Sequence, residues 1–345
     1  MGLRLQLLSA SSAKKELLDF LEGSDGTFFH NPLWVEFVSR FYAYEDLSLA
    51  AFEGEELVAF MPLALAQDLK LRTRLVSFPF SDYGGFAFSS GASDGAKKEA
   101  CLSASRLLAK ASAEVRVPAG LSPLYASPES RMEYSTFVLD LAKVGSGYLS
   151  ALPQRIRRVI KKHGQRFEVR ECRSKRELES AYYLYLLNCK KYGSPAHPFS
   201  FFEQLHEKFS AKGMLSIKLL LGEEPAAFIA CLSWRDTVHY WLGGFNPKLR
   251  RFSPFTVLLY EAILDAKERG FSYFDFGRTR RGTGLFFYKS GWGGEERAIH
   301  HLFYGGAKPV DPLIPLFSAL SKAYKLVPWQ VNCRIGKELV RRVAL

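Results

Sequence analysis

The chain has 345 residues, 48% apolar and 14% aromatic, with 47 Lys or Arg against 35 Asp or Glu. That length is more than one hydrophobic core normally serves, so two domains are expected, and the mixed composition excludes long disorder or low complexity. No apolar run approaches the ~18 to 20 residues of a membrane span, and Met1 to Ala10 is too short and too weakly basic for a secretory signal, which predicts a cytoplasmic protein.

In chain order, Ala13-Lys14-Lys15-Glu16-Leu17 opens a helical pattern, and Pro32 to Phe41 carries aromatics at helical spacing. Two strands follow around an acidic turn, Leu47 to Phe52 and Leu57 to Leu65 with Gly54-Glu55-Glu56 between them. Gly84-Gly85-Phe86, a helix over Ala96 to Ala113 and an apolar strand complete this half. The second half repeats the order. Ser174-Lys175-Arg176-Glu177-Leu178 opens a helix and Pro198 to Phe209 forms another. Leu215 to Leu221 turns at Gly222-Glu223-Glu224 into Ala226 to Ser233. Gly243-Gly244-Phe245 precedes a helix over Pro254 to Arg269 and a further strand. Ala59-Phe60 and Ala227-Phe228 are separated by 168 residues, as are the turn glycines Gly54 and Gly222. Five matches in one order predict two copies of an α/β unit with mixed sheets.

The net charge of +12 sits in two segments. Residues 155 to 176 hold ten Lys or Arg against Glu168 and Glu171, a net +8, and residues 311 to 345 hold six against Asp311 and Glu338, a net +4. Such local fields steer phosphate-bearing partners or anionic membranes. In the first segment Leu152, Ile156, Val159, Ile160 and His163 share one helical face, and Arg155, Arg158 and Lys162 line another, either a solvated face or a phosphate-binding one. In the tail, Leu316, Leu320, Tyr324, Val327 and Trp329 lie among cations and fit either a cap on the second core or an amphipathic helix on an inner membrane. The five cysteines, Cys101, Cys172, Cys189, Cys231 and Cys333, lack zinc or disulfide spacing and read as reduced and packed.

The strand Phe274-Asp275-Phe276-Gly277-Arg278-Thr279, followed by Lys289 and Trp292-Gly293-Gly294, puts a carboxylate and a guanidinium where a sheet opens onto a loop. Asp275 either accepts a proton or orients an amine, or it pairs with Arg278 across the turn. Asp82 and Tyr83, beside Gly84-Gly85, either reach a groove between the halves or form an Asx-type turn. His197, between Ala196 and Pro198, is a base by its ordinary pKa or a plain loop residue.

These motifs together resemble the FemAB-like aminoacyl/acyltransferases, in particular the branch associated with bacterial exosortase and exopolysaccharide loci. The residues carrying the resemblance are Ser77 to Gly85, Ile156 to Lys162, Tyr192 to Pro198, Phe274 to Arg278, Tyr288-Lys289, Trp292-Gly293 and Tyr324 to Trp329. The resemblance implies two tandem Gcn5-related N-acyltransferase (GNAT) folds, at 1–140 and 141–310, plus a basic amphipathic helical tail at 311–345. It implies transfer of an acyl or aminoacyl group, from aminoacyl-tRNA or acyl-CoA, to an amine of a cell-envelope peptidoglycan or polysaccharide precursor. Lys289 matches the family's Phe-Lys motif, with Tyr288 in place of Phe, and is the expected oxyanion stabiliser. Arg278, Asp82, Tyr83, His197, Arg155, Arg158 and Lys162 are the expected substrate contacts.

A CoA site in this fold wants a glycine-rich loop whose amides cradle the pyrophosphate. Asn246 to Pro254 contains no glycine, leaving Lys248, Arg250 and Arg251 as side-chain contacts to a phosphate. No tightly bound cofactor, metal or DNA partner is expected. The rival readings are a CoA-dependent N-acyltransferase on an amino sugar or small amine, and a non-catalytic tRNA- or membrane-binding module.

Overall fold

The structure, a computed structural model, describes residues 2–68, 72–126, 128–307 and 336–342. Among these the chain forms two compact units: unit 1 over 2–135, 297–307 and 341–342, and unit 2 over 136–296 and 336–340. The segment 297–307, read from sequence as part of the second domain, belongs to unit 1. Of the expected tail only 336–342 is described, as helix; Leu316, Leu320, Tyr324, Val327 and Trp329 lie outside the described residues.

Unit 1 begins with strand β1 (Leu3–Leu7) and helices α1 (Lys14–Glu22) and α2 (Pro32–Tyr42). Helix α2 starts where the sequence dictates: Asn31 accepts the Leu33 amide at 2.9 Å and Pro32 occupies the first turn, where its missing N–H costs nothing. There follow β2 (Glu45–Asp46), β3 (Leu49–Glu53), β4 (Glu56–Met61), β5 (Ala64–Gln67), β6 (Thr73–Val76) and β7 (Ala87–Phe88). Helix α3 (Asp94–Leu108) and β8 (Ala113–Pro118) come next, so the expected helix over Ala96 to Ala113 ends five residues early. One sheet has the order β1-β3-β4-β7, all antiparallel. Beside it, β2, β5 and β6 pair antiparallel in turn, and β6 runs parallel to β8. Its core buries Met61, Phe86, Phe88, Cys101, Leu108, Val115 and Val117. Each such side chain contributes about 1.5–3 kcal/mol relative to exposure.

Strand β9 (Ser130–Asp140) leads into unit 2, which continues with α4 (Tyr148–Ala151), the basic helix α5 (Gln154–His163) and β10 (Glu168–Glu171). Helix α6 (Lys175–Tyr192) opens with a capping box, in which Ser174 and Glu177 satisfy each other's amides, and closes on Gly193 at φ 65°. After α7 (Phe199–Phe209) come β11 (Leu215–Leu221), β12 (Pro225–Trp234) and β13 (Thr237–Phe245) as an antiparallel meander. Helix α8 (Pro254–Glu268) crosses over to β14 (Tyr273–Asp275), parallel to β13. The unit ends with β15 (Thr279–Arg280), α9 (Gly284–Ser290) and the start of β16 (Glu295–Tyr304), whose later residues pair with β8 in unit 1. Phe274, Phe276, Trp292, Leu258, Ile263 and the buried face of α5, Ile156 and Ile160, share one core.

The described cysteines, Cys101, Cys172, Cys189 and Cys231, are all buried with no disulfide. Burial pushes the Cys101 and Cys231 thiols up to about 12, so they stay protonated and serve as packing. Among the described residues no helix is long and apolar enough to cross a membrane.

Candidate functional site

In unit 2, β13 and β14 pair over three rungs only: Thr237 with Tyr273, Val238 with Phe274 and His239 with Asp275. Strand β14 ends there, while β13 runs on to Phe245, so the two parallel strands part beyond His239 and Asp275. Within the continuing part, Tyr240 faces Cys231 and Leu242 faces Ala230, which leaves Trp241 as a β-bulge. A bulge breaks the ladder and re-aims the backbone, and the ends of parted parallel strands are where α/β sheets hold ligands.

The last paired rung is polar and buried. Asp275, 2% exposed, accepts hydrogen bonds at Oδ1 from Thr136 Oγ1 and from the Gly277 amide at 2.8 Å, and its Oδ2 lies 3.3 Å from His239 Nδ1. A carboxylate removed from water is stable only with such partners. Gly277, at φ 72°, makes the turn that brings its own amide back to Asp275.

Lys289 lies on helix α9, whose start is capped by Thr283 accepting the Phe286 amide. It is buried, 4% exposed. Its Nζ donates to the Gly277 carbonyl at 2.8 Å and the Arg278 carbonyl at 3.2 Å, and sits 5.3 Å from the centre of the Tyr240 ring. One ammonium therefore ties the turn after Asp275 to α9 and to the freed part of β13. Arg278 is half-buried. Tyr288, beside Lys289, has its phenol pushed up by burial and approaches Thr256 Oγ1 at 3.3 Å. Phe255 covers Gly243 so closely that a Cβ there would lie 2.5 Å from its ring.

The expected basic contacts are exposed. Gln154, Arg157, Arg158, Lys161 and Lys162 line a shallow hollow of about 500 Å³ along α5. Arg155 is not among them; its charge acts on Tyr288 instead. Lys248, Arg250 and Arg251 are exposed on the 3-10 turn Pro247–Phe252 before α8. Two arginines stack on Phe252 of that turn, Arg251 at 4.6 Å and Arg166 at 4.1 Å. The turn and the end of α5 thus form one basic surface.

His197 is placed differently from a base in a loop. It stacks on Phe201 at 4.4 Å, its amide is bonded to the Tyr185 hydroxyl, and desolvation lowers its pKa to about 3. At neutral pH it is an uncharged part of the packing between α6 and α7.

In unit 1, Asp82 is half-buried and Tyr83 is buried against Phe29, with ring centroids 6.2 Å apart. Sequence reading missed His239 and Thr136, and it missed the buried Arg116 and Glu114 that lie under the Asp82 loop. The only signal was a histidine or charged residue interrupting an apolar strand.

Residues 150–290 match the family described as an acetyltransferase (GNAT) domain. Among solved structures, the chain superposes on FemX with a TM-score of 0.66 at 14% identity, covering 92% of this chain and 100% of that one. The fold is that of the tandem N-acyltransferases. L-PGS from Bacillus licheniformis shares it at TM-score 0.54 and 14% identity, over 91% of this chain and 97% of that one. A tandem GNAT protein from the clavulanic acid biosynthesis pathway matches at TM-score 0.54 and 13% identity, over 90% and 100%. No sequence among curated proteins matches the chain. Within this N-acyltransferase fold, the parted strands of unit 2 lie inside the segment that matches the family.

Proposed function

We propose that the protein is an acyltransferase that moves an acyl or aminoacyl group from a phosphate-bearing donor to an amine of a cell-envelope peptidoglycan or polysaccharide precursor. The observation that carries this reading is the parting of β13 and β14 above a buried Asp275–His239 pair. Amide formation needs a bound carbonyl, a neutral amine, a place for the amine proton and positive charge near the developing oxyanion. Asp275, acting with His239, suits the proton. Lys289 suits the charge and holds the turn that carries Asp275. The resemblance of the motifs to the FemAB-like aminoacyl/acyltransferases supports an aminoacyl donor, with acetyl-CoA as the rival.

The residues before α8 also favour a donor other than CoA. Amides that would cradle a pyrophosphate are already bonded within the turn: Lys248 to Asn246 Oδ1, Leu249 to the Asn246 carbonyl, Ser253 to the Arg250 carbonyl and Thr256 to the Ser253 carbonyl. Pro254 has no N–H to offer. What remains is the side-chain charge of Lys248, Arg250, Arg251, Arg166 and α5, which suits an extended polyphosphate such as tRNA.

A thermal-shift titration tests the reading, using acetyl-CoA, longer acyl-CoAs, charged tRNA and nucleotide-linked cell-wall precursors. A donor at 100 times its dissociation constant adds about 2.7 kcal/mol. Stabilisation by charged tRNA, weakened by Arg158→Glu, is the expected result. Stabilisation by acyl-CoA alone would make this a CoA-dependent N-acyltransferase. Stabilisation by tRNA alone or by nothing in the series, with Asp275→Asn leaving every activity unchanged, would leave a non-catalytic tRNA- or membrane-binding module.

A further inference from the structure

Helix α9 is fixed from one side and bare on the other. Phe286 packs on Phe137 with ring centroids 5.1 Å apart, Tyr288 lies 6.0 Å from the Trp292 ring, and Lys289 Nζ donates to the Gly277 carbonyl at 2.8 Å. Interleaved with these anchors, Leu285 and Phe287 stand in solvent, 49% and 64% exposed. The Phe287 ring meets Phe286 edge-on, at 5.5 Å between centroids. Among the described residues of unit 2, the other large hydrophobic side chains so exposed are tyrosines, Tyr183, Tyr192 and Tyr273, whose hydroxyls suit water. A leucine and a phenylalanine have no polar end to justify their place. Apolar side chains held out together on a rigid support mark a surface that meets something apolar.

The surroundings of that pair carry charge of one sign. Helix α9 ends against the start of α5: a Cβ on Gly291 would lie 3.5 Å from Ile156 Cδ1 and 3.7 Å from Pro153, and the Arg155 guanidinium acts on the Tyr288 phenol. From Leu141 to Phe167 the chain holds seven Lys or Arg and no Asp or Glu, and from Phe276 to Gly294 it holds four and again no acid. Of the second group, Lys289 is buried and Arg281 is neutralised by Glu296 at 2.7 Å. Arg155 and Arg158 on α5 are exposed. An apolar pair beside an acid-free basic helix combines the two features that hold a protein on a negatively charged membrane surface. Nucleic acid would meet the charge equally well, but it offers no apolar medium for Leu285.

We propose that α9 and the start of α5 form a docking surface for an anionic lipid bilayer, with Leu285 and Phe287 entering the headgroup region and Arg155 and Arg158 meeting lipid phosphates. The acyltransferase reading sends a polyphosphate to the end of α5 and the turn before α8, so this surface stands whether or not that reading does. Because α9 is pinned by Phe286, Tyr288 and Lys289, little ordering is needed when Leu285 and Phe287 enter the lipid.

The test is cosedimentation of the whole protein with vesicles of phosphatidylcholine alone and of phosphatidylcholine containing about a third phosphatidylglycerol. Binding to the anionic vesicles and not to the neutral ones is expected. The double variant Leu285→Ser/Phe287→Ser should lower the partition coefficient at least tenfold, and Arg155→Glu about fivefold or more. Leu7→Ser/Leu107→Ser, which removes exposed apolar side chains of unit 1, should leave it unchanged. Phe287→Trp keeps an aromatic ring suited to the interface and should bind at least as well as the parent, with an added emission component that shifts to the blue on anionic vesicles. That variant gives an independent reading if the serine variant does not fold. The proposal is overturned if anionic vesicles are not bound, if Leu285→Ser/Phe287→Ser binds them as the parent does, which is adsorption by charge alone, or if the Phe287→Trp emission stays unshifted. It is overturned equally if those serines change only the self-association of the free protein in sedimentation velocity, which would make this face a contact between two copies.

Discussion

Units 1 and 2 repeat one plan but differ at one buried position. Gly84 and Gly243 are 159 residues apart, and so are Arg116 and Asp275. In unit 2 that place holds a carboxylate, which gathers a hydroxyl, an amide and an imidazole at the point where β13 leaves β14. In unit 1 it holds a guanidinium, which draws the carbonyls of Phe78 and Ser81 onto itself, and the parallel neighbour of β8 is β6. A repeated backbone therefore does not imply a repeated site. The sign of one buried charge decides whether the neighbouring groups are donors or carbonyl oxygens.

The comparison breaks most severely if either buried charge proves dispensable. Arg116→Met leaves Glu114 buried without its main partner and is expected to cost about 3–5 kcal/mol in urea unfolding. Asp275→Asn keeps the size of the side chain but not its charge, and turnover with an identified donor should fall about 100-fold or more. Glycine contacts give smaller effects. Gly84→Ala puts a methyl group against backbone and should cost about 1–3 kcal/mol, whereas Gly243→Ala meets the ring of Phe255, which can turn aside, and should cost less; parallel denaturant curves decide.

Each unit also carries a buried neutral histidine. Desolvation lowers His30 in unit 1 to about 4 and His197 in unit 2 to about 3. A histidine depressed in the folded state stabilises fully above its unfolded pKa near 6.5. That contribution is lost as pH falls toward the folded value, at no more than about 1.4 kcal/mol per pH unit for each residue. Melting temperature should fall between pH 6.5 and 4, and His30→Gln or His197→Gln should flatten the fall. Glu114 behaves in the carboxylate sense. Burial alone would raise its pKa, but Arg116 and His301 hold it well below 4.5, so its contribution is present above 4.5 and lost at lower pH. Glu114→Gln leaves Arg116 buried without its carboxylate, so it should lower stability at neutral pH and remove the further fall below pH 4.5.

Much of this architecture was legible in the sequence. The paired hairpins announced themselves through acidic turns at equal offsets, and Leu215–Leu221 forms the strand expected of it. The stretch Leu57 to Leu65 misled because it is uniformly apolar; Pro62, lacking an N–H, ends β4 at Met61, and a new strand starts at Ala64. Asp275 was visible as a charge ending an apolar strand, but its partners were not. Thr136 reaches it across 139 residues of chain, and His239 is a single histidine in a strand, with no local pattern to mark it. Lys289 was legible through its motif, but the short helix that carries it, capped by Thr283 between Gly282 and Gly284, was not.

Hydrogen exchange of the whole protein, with and without charged tRNA and acyl-CoA, tests most directly whether unit 2 alone holds the donor. Slowed exchange confined to 154–166, 239–256 and 275–289 is the expected result, with 77–85 and 113–118 unchanged by any donor. Protection of 77–85 and 113–118 by a donor, or no protection of 239–256 by any of them, would contradict it.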